Sequence, residues 1–226
     1  MLRKELALKT GHLMFITQQN DHNSLQEQLE GYVKGGGRLL QLRLKGVSKE
    51  ELTRIAEHVV EVMQMLGGSV IINDYWDVAQ RARAWGVHIG QEDGDPREVR
   101  KAVGEDMAIG VTVNTLEQLV ALKDAPIDYV GLGPLRFTRT KEKIAPLLGM
   151  EGVRRVVEGA REAGVSHPIF VIGGVENLDV YPLLELGVHG VAVSSSIASA
   201  SDSGFATEKF MDSIQRFLRK PNATIR

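Results

Sequence analysis

The 226 residues include 27 Lys and Arg against 29 Asp and Glu, for a formal charge of -2, with 43% hydrophobic residues and no Cys. Zero Cys excludes a disulfide framework, a thiolate nucleophile and a Cys-ligated metal, and the near-neutral balance gives no global field for nucleic acid, so any anion binding must be local. Length and composition suit one domain with one sizeable core. No apolar run reaches membrane-spanning length, and Arg3, Lys4, Glu5 and Lys9 interrupt the stretch where a signal core would lie. A cytosolic protein engaging neither membrane nor nucleic acid is therefore expected.

Taken in order, short apolar runs alternate with helically spaced ones. Residues 13–17 read as a strand, and 24–37 as a helix closed by three glycines. Strict alternation over 39–45 reads as a second strand, after which Ser48 and Glu51 predict a capping box opening a helix that runs to Gly67 and Gly68. Strands at 70–74, 86–90, 107–113, 129–133, 169–173 and 190–195 follow, with helices near 75–85, 96–103, 115–123, 150–163, 176–186 and 205–218. Eight β-then-α units with right-handed crossovers predict a single (β/α)8 TIM barrel. A doubly wound open sheet would carry a Gly-rich fingerprint after its first strand, and Thr17, Gln18, Gln19 and Asn20 contain none.

In such a barrel function gathers where the strands end. Alternation sends Leu40, Leu42 and Leu44 to the helices and Gln41, Arg43 and Lys45 inward, where two cations are costly unless carboxylates or an anionic ligand meet them. Asp74 and Asp93 close adjacent strands, and a pair of hard carboxylates leaving other positions to water and phosphate suits Mg2+. His88 reads as a satisfied core residue without a role. The connection 134–149 is long for a βα loop and holds Arg136, Arg139, Lys141 and Lys143 against Glu142, a net +3. With Thr138 and Thr140 beside Lys141, it is expected to be a flap over phosphate oxygens. Gly173 and Gly174 after the seventh strand, and Ser194, Ser195 and Ser196 after the eighth, predict a second anion site built from backbone N–H groups and hydroxyls.

The segments QLRLK, NDYWDVA, GVHIGQED, YVGLGPLRFTRTK, VIGGV and VAVSSSI, in this order and spacing, resemble the thiamine phosphate synthase family. The resemblance implies a TIM-barrel transferase joining 4-amino-5-hydroxymethyl-2-methylpyrimidine diphosphate to 4-methyl-5-(2-phosphoethyl)thiazole or its carboxylated form. Its products would be thiamine phosphate and diphosphate. It places Gln41, Arg43, Lys45 and Asn73 on the pyrimidine diphosphate, Asp74 and Asp93 on Mg2+, and Thr138, Thr140 and Lys141 in the flap. Gly174, Ser194 and Ser195 would take the thiazole phosphate. Arg43, Lys45, Lys141 and Thr112 are the expected catalytic group.

Two departures stand out. The family usually carries Ser and, two residues on, His after the fifth strand, where this chain has Thr112 and Asn114; Thr112 keeps a hydroxyl, but Asn114 does not titrate. Tyr75 stands where the family commonly has Arg, and Trp76 is also unusual. The alternatives are a thiazole tautomerase of the same superfamily, which needs no diphosphate site, and a non-catalytic regulator that binds without turnover. A homo-oligomer is compatible with this reading.

Overall fold

The computed structural model describes residues 11–20, 23–137 and 146–221. Eight parallel strands close into a barrel in sequence order: β1 (Leu13–Ile16), β2 (Leu39–Leu42), β3 (Ser69–Asn73), β4 (Gly86–Ile89), β5 (Ala108–Val113), β6 (Tyr129–Leu132), β7 (Ile169–Ile172) and β8 (Gly190–Val193). β8 pairs back onto β1, with Phe15 opposite Val193. The predicted (β/α)8 barrel is the observed fold. Among the described residues no helix is long and apolar enough to cross a membrane.

The helices between strands are α1 (Leu25–Lys34), α2 (Lys49–Met65), α3 (Trp76–Arg81), α4 (Pro96–Val103), α5 (Leu116–Ala121), α6 (Gly149–Glu162) and α7 (Asn177–Glu185). After β8 come a one-turn α8 (Ser195–Ala198), which the sequence pattern missed, and α9 (Ser203–Leu218). The reciprocal capping box forms at Ser24 with Glu27, whereas at Ser48 the predicted box is half made, the hydroxyl capping the Glu51 N–H at 3.2 Å.

Alternation along each strand divides the core in two. Leu40, Leu42, Ile72, Val87 and Val111 face outward into one shell with the helices. Met14, Leu39, Ile71, Trp85, Ala108, Tyr129, Phe170 and Ala192 face inward and plug the barrel. The plug fills the lower part, so a cavity remains only towards the C-terminal ends of the strands. Gly110 makes room for the plug's Tyr129, since a Cβ there would lie 2.0 Å from the ring.

The base is closed by charge. Arg100 is buried and donates to the carbonyls of Pro126, Gly104 and Met107 and, at 2.6 Å, to Asp128, whose carboxylate also accepts the Ile109 N–H at 2.8 Å. At the seam between the first and last units, amide side chains do the joining. Gln28 bonds the carbonyls of Gln18 and Asn23, Asn20 and Asn23 bond the Ala198 carbonyl, and Ser194 Oγ donates to Gln18 Oε1 at 3.3 Å.

Candidate active site

The mouth cavity is lined by Gln41, Arg43, Asn73, His88 and Thr112 from one half of the barrel and by Gly173, Gly174, Val175, Ser194, Ser195 and Ser196 from the other. Met14, Ile16, Phe170 and Ile172 form its apolar floor. β3 and β7 lie four strands apart in a ring of eight, so these two walls face each other across the mouth.

The first wall carries charged side chains. Gln41 is buried, with its amide donating to the Met14 sulfur at 3.6 Å, and Arg43 reaches the same cavity. β2 stops at Leu42, three residues before the expected end: Thr17 accepts the Arg43 N–H at 2.8 Å and turns the chain out of the ladder. Lys45 therefore lies on the exposed rim rather than within the barrel, its N–H held by Gln19 Oε1 at 2.7 Å.

Asp74 follows β3 with a left-handed backbone, φ 66, which Asp tolerates better than most residues. Its N–H donates to the His88 carbonyl at 2.8 Å, fixing the turn against β4. Burial, and then the charge and carboxyl contact of Asp93, push the Asp74 carboxyl up to about 6 despite Arg43 and Asn73, which act to lower it. Asp93 is exposed and accepts the Gly90 N–H at 2.7 Å, so its position is set by its own turn. Two carboxylates pressed together at a half-open rim fit a divalent cation, which would relieve their repulsion. Among the described residues no third His, Asp or Glu joins them, leaving the remaining positions to water and ligand oxygens. Tyr75, next in sequence, is exposed beneath Lys49, whose ammonium lies 5.6 Å from the ring centre and pairs with Asp77 at 2.5 Å.

Beneath this wall lies a buried polar chain that sequence reading missed. His88 joins Tyr129 OH through Nδ1 at 3.0 Å and Thr112 Oγ1 through Nε2 at 2.9 Å. Burial holds the Tyr129 phenol well above its usual range, so it keeps its proton. The neutral imidazole donates through one ring nitrogen and accepts through the other, so the Tyr129 and Thr112 hydroxyls hold a single tautomer between them. Three neighbouring strands supply the three residues, and only barrel closure in register reveals the chain. His88 is thus a satisfied core residue, as expected, but one that lines the site. Asn114 donates to the Gly133 carbonyl and receives no cavity contact.

The second wall is mostly backbone. Gly173 and Gly174 both have left-handed φ, 81 and 70, where other residues are strained. Ser194 and Ser195 open α8 beside them, and Ser196 Oγ donates to the Val175 carbonyl at 2.8 Å, tying the two loops together. In the 134–149 connection the ends are pinned, since the Leu148 and Gly149 N–H groups donate to the Pro134 and Leu135 carbonyls at 3.0 Å. Thr138, Thr140 and Lys141, with Arg139 and Lys143, lie outside the described residues. Arg136 is not the anion-facing cation that its place in this connection suggested. It forms a bidentate pair with Asp179 of α7 at 2.5 and 2.7 Å. Burial works to raise the Asp179 carboxyl, but Arg136 and the Glu176 N–H outweigh it and hold the group below its usual range.

A family model described as thiamine monophosphate synthase matches residues 13–197. A thiamine-phosphate synthase of Bacteroides fragilis is 34% identical over 200 residues, covering 88% of this chain and 98% of that protein. One from Bacillus velezensis is 37% identical over 191 residues, 83% of each chain. The solved structure of a thiamine phosphate pyrophosphorylase from Pyrococcus furiosus superposes with a TM-score of 0.82 at 26% identity, covering 92% of this chain and 98% of that one. With the matched region spanning all eight strands and every described candidate residue, the chain belongs to the thiamine monophosphate synthase family.

Proposed function

We propose that this chain is a transferase that couples 4-amino-5-hydroxymethyl-2-methylpyrimidine diphosphate to 4-methyl-5-(2-phosphoethyl)thiazole, giving thiamine phosphate and diphosphate. The carboxylated form of the thiazole is the alternative acceptor. The observation that carries this reading is the division of one cavity into a side-chain wall bearing Arg43, with the Asp74 and Asp93 pair at its rim, and a facing backbone wall of Gly173, Gly174 and serines. Two anions of different kind are thereby held apart across an apolar floor.

The reaction breaks the bond from the pyrimidine methylene to the diphosphate, with the electron pair leaving on the diphosphate, and forms a bond from that methylene to the thiazole nitrogen. The nitrogen carries no proton, so no general base is needed. Asp74 and Asp93 would hold Mg2+, which when bound offsets charge on the departing group. Arg43 adds a fixed positive charge beside them, and Lys45 and the Thr138, Thr140 and Lys141 segment are assigned to the same diphosphate. Gln41, Asn73 and the Thr112 hydroxyl orient the pyrimidine, whose amino group supports the developing methylene cation. Gly174, Ser194 and Ser195 hold the thiazole phosphate, and the Met14, Ile16 and Ile172 floor keeps water from the cation. Catalysis then consists of positioning and electrostatics. A tautomerase has no need of a diphosphate site, and Lys45, Asp74, Asp93 and the Thr138, Thr140 and Lys141 segment favour the transferase reading.

The test is direct: purified protein, Mg2+ and both substrates should yield thiamine phosphate and diphosphate in equal amounts. Binding of each substrate without either product would overturn the proposal.

A further inference from the structure

Arg136 holds the second wall through both its main chain and its side chain. Its main-chain N–H donates to the Gly173 carbonyl at 2.9 Å, and its Nη1 donates to the Gly174 carbonyl at 3.1 Å. The preceding Leu135 N–H donates to the Ile172 carbonyl at 2.9 Å, so three successive carbonyls from the end of β7 onward are fixed by two residues of the connection after β6. The peptide bonds here are trans, and a trans peptide points its N–H away from its own carbonyl. Holding the Gly173 and Gly174 carbonyls towards Arg136 therefore turns the Gly174 and Val175 N–H groups away from it. Gly173, Gly174 and Val175 all line the mouth cavity.

Two consecutive glycines with left-handed φ have wide freedom, and nothing in their own side chains would keep this arrangement. Contact with Arg136 is also tight, because a Cβ on Gly174 would lie 2.8 Å from the Arg136 Cβ. The guanidinium is fixed in turn by Asp179, whose side chain is 9% exposed against 45% for Arg136. The same Asp179 oxygen takes the Glu176 N–H at 2.8 Å at the start of α7. The fork of Arg136 is thus spent on a carboxylate and a carbonyl, leaving its charge balanced.

We propose that Arg136 and Asp179 are a positioning pair that aims the Gly174 and Val175 N–H groups at the phosphate of the thiazole substrate, without Arg136 itself touching that phosphate. The assignment of the phosphate to this wall rests on the function proposed above. A direct phosphate-binding role makes the opposite prediction for Asp179. Freeing Arg136 from its carboxylate would then strengthen phosphate binding, whereas a positioning role requires it to weaken.

The test compares wild type with Arg136→Ala, Arg136→Lys and Asp179→Asn. Readouts are calorimetric affinity for 4-methyl-5-(2-phosphoethyl)thiazole, KM for each substrate, and backbone amide shifts of Gly174 and Val175 on titration with inorganic phosphate. Arg136→Ala and Asp179→Asn should each weaken thiazole-phosphate binding by about ten-fold, as expected for lost charge-assisted bonds, while KM for the pyrimidine diphosphate moves by less than about two-fold. Arg136→Lys, which keeps the charge but not the fork, should recover only part of the loss. Unchanged or tighter binding in Asp179→Asn, full recovery by Lys, or equal losses for both substrates would overturn the proposal. Should Arg136→Ala fail to fold, the other two variants decide. Phosphate-induced shifts at Gly174 and Val175 in a wild type that makes no product would sink the proposed reaction but leave this inference standing; absence of those shifts in an active wild type would sink the inference alone.

Discussion

Asp128 at the base of the barrel and Asp74 at its mouth are both carboxylates beside a strand, in opposite circumstances. Asp128 meets Arg100 at 2.6 Å and a backbone N–H, and Arg100 spends its other donors on three carbonyls. Asp74 meets a second carboxylate and is pushed up to about 6 by burial and by that neighbour. One end of the fold has completed its electrostatics within the chain, while the other has left a charge problem that a ligand can solve. A buried pair is costly to break from one side, whereas a crowded like-charged pair is costly to keep, so the two ends should respond oppositely to neutralising one member.

The largest effect is expected at the mouth. Asp93→Asn keeps an acceptor for the Gly90 N–H but removes the second charge, and turnover should fall by about a hundred- to a thousand-fold, a loss typical of transition-state electrostatics. The same variant, free of metal and ligand at neutral pH, should melt above wild type; a lower melting point would refute the claim of stored repulsion. At the base, Arg100→Ala should destabilise by about 3–5 kcal/mol in urea titration because it leaves Asp128 buried alone, while activity per folded molecule persists. Comparable loss of specific activity would erase the distinction between the ends. Between them, Tyr129→Phe removes the hydroxyl partner of His88 and should cost about 1 kcal/mol with a few-fold fall in kcat, read by denaturation midpoint and steady-state rate.

The smallest effect concerns pH at the base. Burial lowers the His12 pKa from 6.5, partly offset by the His189 carbonyl at 2.8 Å. The unfolded chain then takes up this proton before the folded one, so the contribution is present above about 6.5 and is lost as pH falls below it. Because the raised Asp74 carboxyl gains stability over the same range, the readout is a difference: between pH 7 and 5.5 the wild type should lose melting temperature relative to His12→Gln. An unchanged slope would remove His12 from the account.

The strand count, the outward leucines of β2 and the two groups of polar residues that meet at the mouth were legible in the sequence because apolar periodicity and terminal glycines are local signals. The misreadings have a common direction. Strands read as reaching Lys45, Asp74, Gly173 and Ser195 end at Leu42, Asn73, Ile172 and Val193. Composition does not register the moment at which the backbone leaves the ladder, here through the Thr17 bond to Arg43 and the left-handed turns at Asp74 and Gly173. Arg43, Gly173, Gly174, Ser194 and Ser195 line the cavity from past those exits, whereas Gln41, Asn73, His88 and Thr112 line it from within strands. What stayed hidden was contact between distant segments. Arg136 and Asp179 are 43 residues apart, and His88, Thr112 and Tyr129 meet only once three strands are in register. A cation in a basic loop gives no sign of being already matched by a helix two elements away.

The amide seam between the first and last units also bears on how the site comes into being. Ser194 rests on Gln18, and the Ala198 carbonyl rests on Asn20 and Asn23, so the glycine and serine wall depends on side chains of the first unit and on backbone of the last. A ribosome-bound chain that has emerged only through β7 holds Gly173 and Gly174 but not the serines, and it still has an open sheet edge where β8 will insert. Formation of the cavity therefore reports on completion: a chain lacking β8 can bury much of its apolar surface and still present only half of that wall.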